Sequence, residues 1–210
     1  MKTCFIFLYI STLVLLSIEL YGQNHEKKQL RYFNTTTFDS LKYDLLISEI
    51  ASFSKISTAK NVPAIALERL KVKETQKEFI IFEKSNWLSF DKSVKISIKR
   101  FDKLTHDVHF KDSILFIDSL KDFGCLKTHP NYQLYNIEYW LQNGYSSVSI
   151  SSETLLGVYE PEISIDKCKV FSSKKGNRLY IYMLCGKKCE YEVIWVFEGK
   201  NYLGRVINQL

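Results

Sequence analysis

The segment CGKKCEYE, Cys185 to Glu192, gathers two cysteines and two glutamates, with Tyr180 and Tyr182 just upstream. Glu190 and Glu192 alternate along a strand and so share a face, the first requirement for paired acid/base carboxylates in a glycosidase. Tyrosines beside carboxylates on a sheet also describe a sugar-binding surface. The plainer alternative is a charged strand end that discourages edge pairing, with the tyrosines as packing residues. Metal, redox and structural roles are all open to a cysteine pair. Zinc knuckles combine two close pairs, whereas C-x3-C here is the single close pair. A thioredoxin-type site needs C-x-x-C at a helix start, which this is not.

Other reactive residues give weaker patterns. His106 and His109 are the one histidine cluster, but on a strand positions i and i+3 point to opposite faces, and no zinc-protease glutamate follows. Cys125 has His129 four residues on, yet a cysteine nucleophile must be a free thiolate with a placed base. There is no G-x-S-x-G elbow, P-loop or dinucleotide fingerprint. The expectation is no catalytic residues, no metal and no cofactor.

The compartment decides the cysteines. The N-terminus, MKTCFIFLYISTLVLLSIELYGQ, has Lys2, an uncharged apolar run from Phe5 to Ile18 and the small Gly22, the layout of a secretory signal peptide. The run is shorter than the roughly 20 residues of a spanning helix, and no second long apolar segment follows. Residues 1–22 are thus expected to be a signal peptide, 23–37 a polar leader carrying the Asn34 glycosylation sequon, and 38–210 one domain. The protein is expected to be exported, to the periplasm, cell surface or extracellular space, without a stable membrane span after cleavage. Four cysteines then remain, Cys125, Cys168, Cys185 and Cys189, an even number that favours disulfides. The formal charge of +6 is spread over scattered lysines rather than gathered in a patch, which argues against nucleic acid as a partner.

The elements that position these residues follow from periodicity. Phe38, Leu41, Leu45, Leu46, Ile50, Phe53 and Ile56 recur at helical spacing, although Lys42 and Glu49 interrupt the stripe. Residues 64–77 fit either a helix or a strand. The period then becomes two, predicting strands at Glu78–Glu83, Val94–Arg100, Ser113–Ile117, Leu134–Leu141 and Tyr145–Ile150, with a helical turn in SETLLGVYEP. Three hairpin connections close the chain: SKKGN, CGKKC and EGKN. The fold class is α+β, predominantly antiparallel β, meander- or sandwich-like, with one N-terminal helix packed on the sheet.

A three-residue loop between Cys185 and Cys189 would set Met183 opposite Tyr191, Ile181 opposite Val193 and Leu179 opposite Trp195. A Gly199–Lys200 turn would set Phe197 opposite Tyr202 and lay Trp195 over Gly204, a known sheet-stabilising device. All the large odd-numbered side chains then share one face. The even face, with Tyr180, Tyr182, Leu184, Ile194 and Val196, is also largely apolar, so both faces need cover. A Gly176–Asn177 turn centre would place Cys168 opposite Cys185, which then has two credible partners, Cys168 and Cys189. Loop-closure entropy, about 3 kcal/mol against about 2, leans towards 168–185 with 125–189.

Between Asn136 and Ile207 the stretches NIEYWLQNGYSSVSIS, LLGVYEP, GNRLYIYML and YEVIWVFEGKNYLGRVI resemble a group of exported bacterial proteins of unknown function. The resemblance covers about a third of the chain and implies a signal peptide, a crossover and a terminal sheet. It brings no activity, and CGKKC departs from the small-residue loop of that group.

The function expected is therefore a non-enzymatic binding or interaction protein, inhibitor- or immunity-like, with another protein as partner. Its contacts would come from the protruding hairpins at Lys187, Lys188, Glu190 and Lys200. A carbohydrate-binding module or glycan hydrolase, with a cell-surface glycan held by Tyr180, Tyr182, Glu190 and Glu192, is the alternative. A structural envelope protein is a third.

Overall fold

The computed structural model describes residues 46, 48–54, 67–86, 89–111, 114–121, 128–141, 146–150, 152–173, 177–186 and 191–210. The protein is α+β with antiparallel sheets dominant. Two five-stranded sheets carry the fold. The first orders its strands β1 (Glu68–Arg69), β10 (Cys168–Ser172), β11 (Arg178–Cys185), β12 (Tyr191–Glu198), β13 (Asn201–Gln209). The second orders β2 (Lys71–Thr75), β3 (Phe79–Asn86), β4 (Ser89–Arg100), β8 (Tyr132–Leu141), β9 (Ser146–Ser149). A smaller sheet joins β5 (Val108–Lys111), β6 (Ile114–Ile117) and β7 (Leu120–Lys121).

The ambiguous stretch 64–77 forms strands at Glu68–Arg69 and Lys71–Thr75. It crosses from one sheet to the other at the buried Leu70, whose N–H donates to the Val170 carbonyl. Lys84 of β3 bonds Glu68 of β1 at 2.6 Å, and Lys92 of β4 bonds Ser172 of β10 at 3.0 Å, stitching the two sheets at that corner. The predicted turn in SETLLGVYEP is a short helix, Ser152–Leu155.

The odd-numbered face of β11 and β12 packs on the inner face of the second sheet. Leu179, Ile181, Met183, Val193, Trp195 and Phe197 share one buried cluster with Ile80, Phe82, Val94, Ile96, Ile137 and Tyr139. Tyr139 and Phe197 meet at 5.8 Å between ring centres. Inside this cluster the Tyr139 hydroxyl finds no partner among the described residues, and burial raises its pKa well above the usual phenol range. A buried hydroxyl without a hydrogen bond carries its desolvation penalty uncompensated. Tyr139→Phe is therefore expected to leave stability unchanged or raise it by up to about 1 kcal/mol, read as the midpoint of urea unfolding.

The even face needed cover as well, and the N-terminal helix supplies it. The chain is helical at Leu46 and at 48–50, and Leu46 and Ile50 are fully buried against Tyr180, Tyr182, Leu184, Ile194, Val196 and Val206. Phe53 stacks on Phe171 with ring centres 4.4 Å apart.

Three registers differ from the sequence reading. Cys185 pairs with Tyr191, not with Cys189, so Met183 faces Val193 and Ile181 faces Trp195. The end of β11 is fixed from outside the hairpin, by the Pro161–Cys185 bridge and by Gly186 N–H donating to the Glu160 carbonyl at 3.1 Å. The β10–β11 hairpin closes on Ser173 N–H to the Arg178 carbonyl, one residue earlier than expected, which puts Cys168 opposite Met183. Phe197 does face Tyr202, but a bulge follows and sets Gly204, at φ 152°, opposite Val196. Trp195 therefore faces Arg205 rather than lying over a glycine. The first two shifts are by an even number of positions, which is why the face assignments survive.

Candidate functional site

Three of the residues singled out in the C-terminal meander do not form a surface. Tyr180 is fully buried, Tyr182 is 6% exposed and Glu192 is fully buried, all beneath the N-terminal segment. The Glu192 carboxylate accepts from Ser54 Oγ at 2.5 Å and from Asn208 Nδ2 at 3.1 Å. The expectation that Tyr180, Tyr182 and Glu192 face a sugar is corrected by this cover. Lys187, Lys188, Glu190 and Cys189 lie outside the described residues, as does Cys125. Lys200 is exposed at the Gly199–Lys200 turn.

Cys168 and Cys185 are buried free thiols. With Cys168 opposite Met183 they are diagonal neighbours, and diagonal strand positions lie about 7–8 Å apart. A disulfide usually spans a Cα separation of roughly 4.4–6.8 Å. The expected 168–185 bond is corrected on that ground. Burial, with Glu162 adding to it against a Ser164 backbone hydrogen bond, pushes Cys168 from its ordinary 9.0 to about 12. Cys185 is likewise raised, chiefly by burial. A thiol whose folded pKa is raised stabilises fully below its unfolded value, and the contribution is lost as pH rises through the folded one. Urea unfolding under reducing conditions should therefore show stability falling from about pH 9 towards pH 12, with a shallower fall in Cys168→Ala.

His106 lies in the loop before β5 and His109 within β5, opposite Phe116, each with a carboxylate neighbour. His106 Nδ1 lies 2.6 Å from Asp118 Oδ2 and its ring stacks on Phe101; His109 Nδ1 is 3.5 Å from Asp107. Among the described residues no group of three or more His, Cys, Asp or Glu could hold a metal ion.

Sequence reasoning missed a buried polar cluster. Glu49 of the N-terminal helix accepts from Ser173 Oγ at 2.6 Å, from Arg178 Nη1 at 2.9 Å and from the Tyr180 hydroxyl. Burial alone would lower the Arg178 pKa, but hydrogen bonding to Glu49 and the charges around it raise it. Tyr180 is raised by burial first and by the Glu49 carboxylate second. Glu49 reaches from the helix into the sheet, while Glu192 reaches from the sheet to Ser54. Two opposed carboxylate contacts thus fasten one segment. With their donors satisfied and solvent excluded, they are structural.

A further candidate surface is the outer face of the second sheet. Its inward residues belong to the core, so Phe79, Ile81, Glu83, Ser93, Lys95, Ser97, Glu138 and Trp140 point outward. Register aligns them in rows: Glu83–Ser93–Trp140–Ser147, then Ile81–Lys95–Glu138, then Phe79–Ser97–Asn136. Phe79, Ile81 and Trp140 are half-buried and belong to none of the three apolar clusters. Lys95 Nζ sits 5.0 Å from the Phe79 ring centre, and Asn136 Nδ2 bonds Glu138 Oε1 at 2.8 Å. A bulge between Ser97 and Ile98 leaves Tyr135 projecting, 57% exposed, with Lys99 Nζ 4.9 Å above its ring. An aromatic and charged platform of this kind can hold a flat, amphipathic partner. The strands that compose it were expected; their side-by-side registers were not.

No protein-family model, no curated protein and no solved structure matches the chain.

Proposed function

We propose that this is an exported, non-enzymatic binding protein, inhibitor- or immunity-like, that receives a protein partner on the outer face of its second sheet. Export rests on the N-terminal signal layout and on the resemblance of the region from Asn136 to Ile207 to exported bacterial proteins. The observation that carries the binding surface is the placement of Phe79, Ile81 and Trp140 on a sheet face outside the core clusters. An antiparallel sheet with one solvated face alternates apolar inward and polar outward; large apolar side chains on the outer face are a cost unless something covers them. Aromatic centres ringed by polar groups are the anatomy of protein interfaces, and tryptophan dominates their energetics.

A second reading has one observation in its favour. The exposed Tyr135 ring, with Asn136 and Glu138 following on the same strand, offers stacking and hydrogen bonding to a sugar. Capture from the native host with immobilised protein separates the two. The protein reading expects one polypeptide retained by the wild type and lost, by about 30-fold or more in affinity, with Trp140→Ala. Retention unaffected by Trp140→Ala and Ile81→Glu would overturn this surface, and hits on a glycan array that Tyr135→Ala abolishes would establish the sugar reading in its place.

A further inference from the structure

We propose that a cleft beside the bulged end of β8 binds a small organic carboxylate with an apolar body. The cleft has a volume of about 210 Å³, lined by Lys99, His106, Gln133 and Tyr135 on one side and by Leu155 and Leu156 on the other. This is below the roughly 300–1,000 Å³ of drug-sized pockets, so the ligand is small.

The charge of the cleft sets the ligand's charge. Lys99 sits over Tyr135 and has no carboxylate partner among the described residues. The acids nearby in the chain are already engaged. Asp118 accepts from Asp107 N–H at 3.0 Å and pairs with His106, and Glu160 accepts from Asn131 N–H and from Asn131 Nδ2 at 2.8 Å. Gln133 adds a neutral donor. It is only 8% exposed, yet its side chain makes no hydrogen bond among the described residues, although it lines the cleft. The Lys99 ammonium suits a carboxylate and disfavours an amine, and the Gln133 amide N–H can complete the carboxylate's hydrogen bonds. Leu155, Leu156 and the Tyr135 ring supply contact for the apolar body.

The walls are preformed. Arg205 Nη1 donates to the carbonyls of Thr154 at 2.8 Å and Leu156 at 2.6 Å, and Trp195 Nε1 also reaches Thr154 at 3.3 Å. The Tyr191 hydroxyl both donates to the Tyr159 carbonyl at 2.8 Å and accepts from its N–H at 2.9 Å. A site held this way loses little entropy when filled.

The cleft shares Lys99 and Tyr135 with the edge of the outer-face platform but not Phe79, Ile81 or Trp140, so it stands whether or not a protein binds that face. The test is amide NMR of the signal-cleaved protein titrated with hexanoate, with hexanol and hexylammonium as charge controls. Hexanoate should give saturable shifts at residues 133–135 and 155–158 in the millimolar range, and the two controls should bind about tenfold more weakly or not at all. Lys99→Met, on an exposed side chain, should lower hexanoate affinity about tenfold with the remaining spectrum unchanged, and Gln133→Leu should lower it several-fold. Absence of saturable shifts, equal response to hexanol, or full affinity in Lys99→Met would each overturn the proposal.

Discussion

Glu49→Ala is expected to remove about 3–5 kcal/mol of folding stability, the cost of breaking a buried ion pair from one side. The carboxylate is 2% exposed and holds Ser173, Arg178 and Tyr180 at once. Without it Arg178 keeps, among the described residues, Glu198 at 3.3 Å from Nε and the Tyr180 hydroxyl, and the Ser173 and Tyr180 hydroxyls lose this carboxylate. The loss arises from the orphaned donors rather than from the worth of the pair. Combining Glu49→Leu with Arg178→Met should therefore recover most of it, because an apolar replacement of a buried pair is often neutral or better. Urea unfolding of the single and double variants checks both statements. A drop of that size is a large part of a typical domain's 5–15 kcal/mol.

Trp195→Ala should cost a similar amount, about 3–5 kcal/mol. The side chain is the largest in the fully buried core and lies where the two sheets meet. Truncation leaves a cavity among β-sheet side chains that cannot collapse into it, since both sheets are held by their ladders. The indole N–H also helps hold the Thr154 carbonyl, so hydrogen exchange should quicken in residues 152–158 beyond the general loss of stability. Trp195→Phe keeps ring burial and should cost less than half as much, within the roughly 1.5 kcal/mol of a tolerated core swap.

The meander was legible because its alternation is dense. Tyr180 through Leu184 and Tyr191 through Phe197 leave little choice of face, and a slip of two residues does not change it. The same density concealed the register, which Pro161 and Glu160 set from outside the β11–β12 hairpin and a bulge opposite Gly204 sets within β12–β13. The need for two covers was also legible, and the helical stripe of Leu46, Ile50 and Phe53 provides one of them. Glu49 was visible only as an interruption of that stripe. Its partner Arg178 stands 129 residues away, and no local pattern announces such a pairing. A charged residue inside an apolar stripe is the signal that could have prompted a search for a buried cation.

Three of the candidate site residues were misread for a related reason. Tyr180, Tyr182 and Glu192 read as a surface because polar atoms suggest solvent, but all three are buried, with the Tyr180 hydroxyl on Glu49 and the Glu192 carboxylate on Ser54. The outer face of the second sheet has no motif. Ile81, Lys95 and Glu138 become neighbours only through the pairing of β3, β4 and β8.

A photoreactive phenylalanine analogue placed at Ile81, with a control at Leu104, 88% exposed in a turn outside this sheet, tests the central claim most directly. Irradiated in an envelope extract of the native host, the protein should form one discrete protein adduct from position 81 and none from position 104, and Trp140→Ala should abolish it. Equal adducts from both positions, or a position-81 adduct that survives Trp140→Ala, would contradict the assignment of this face as the binding surface.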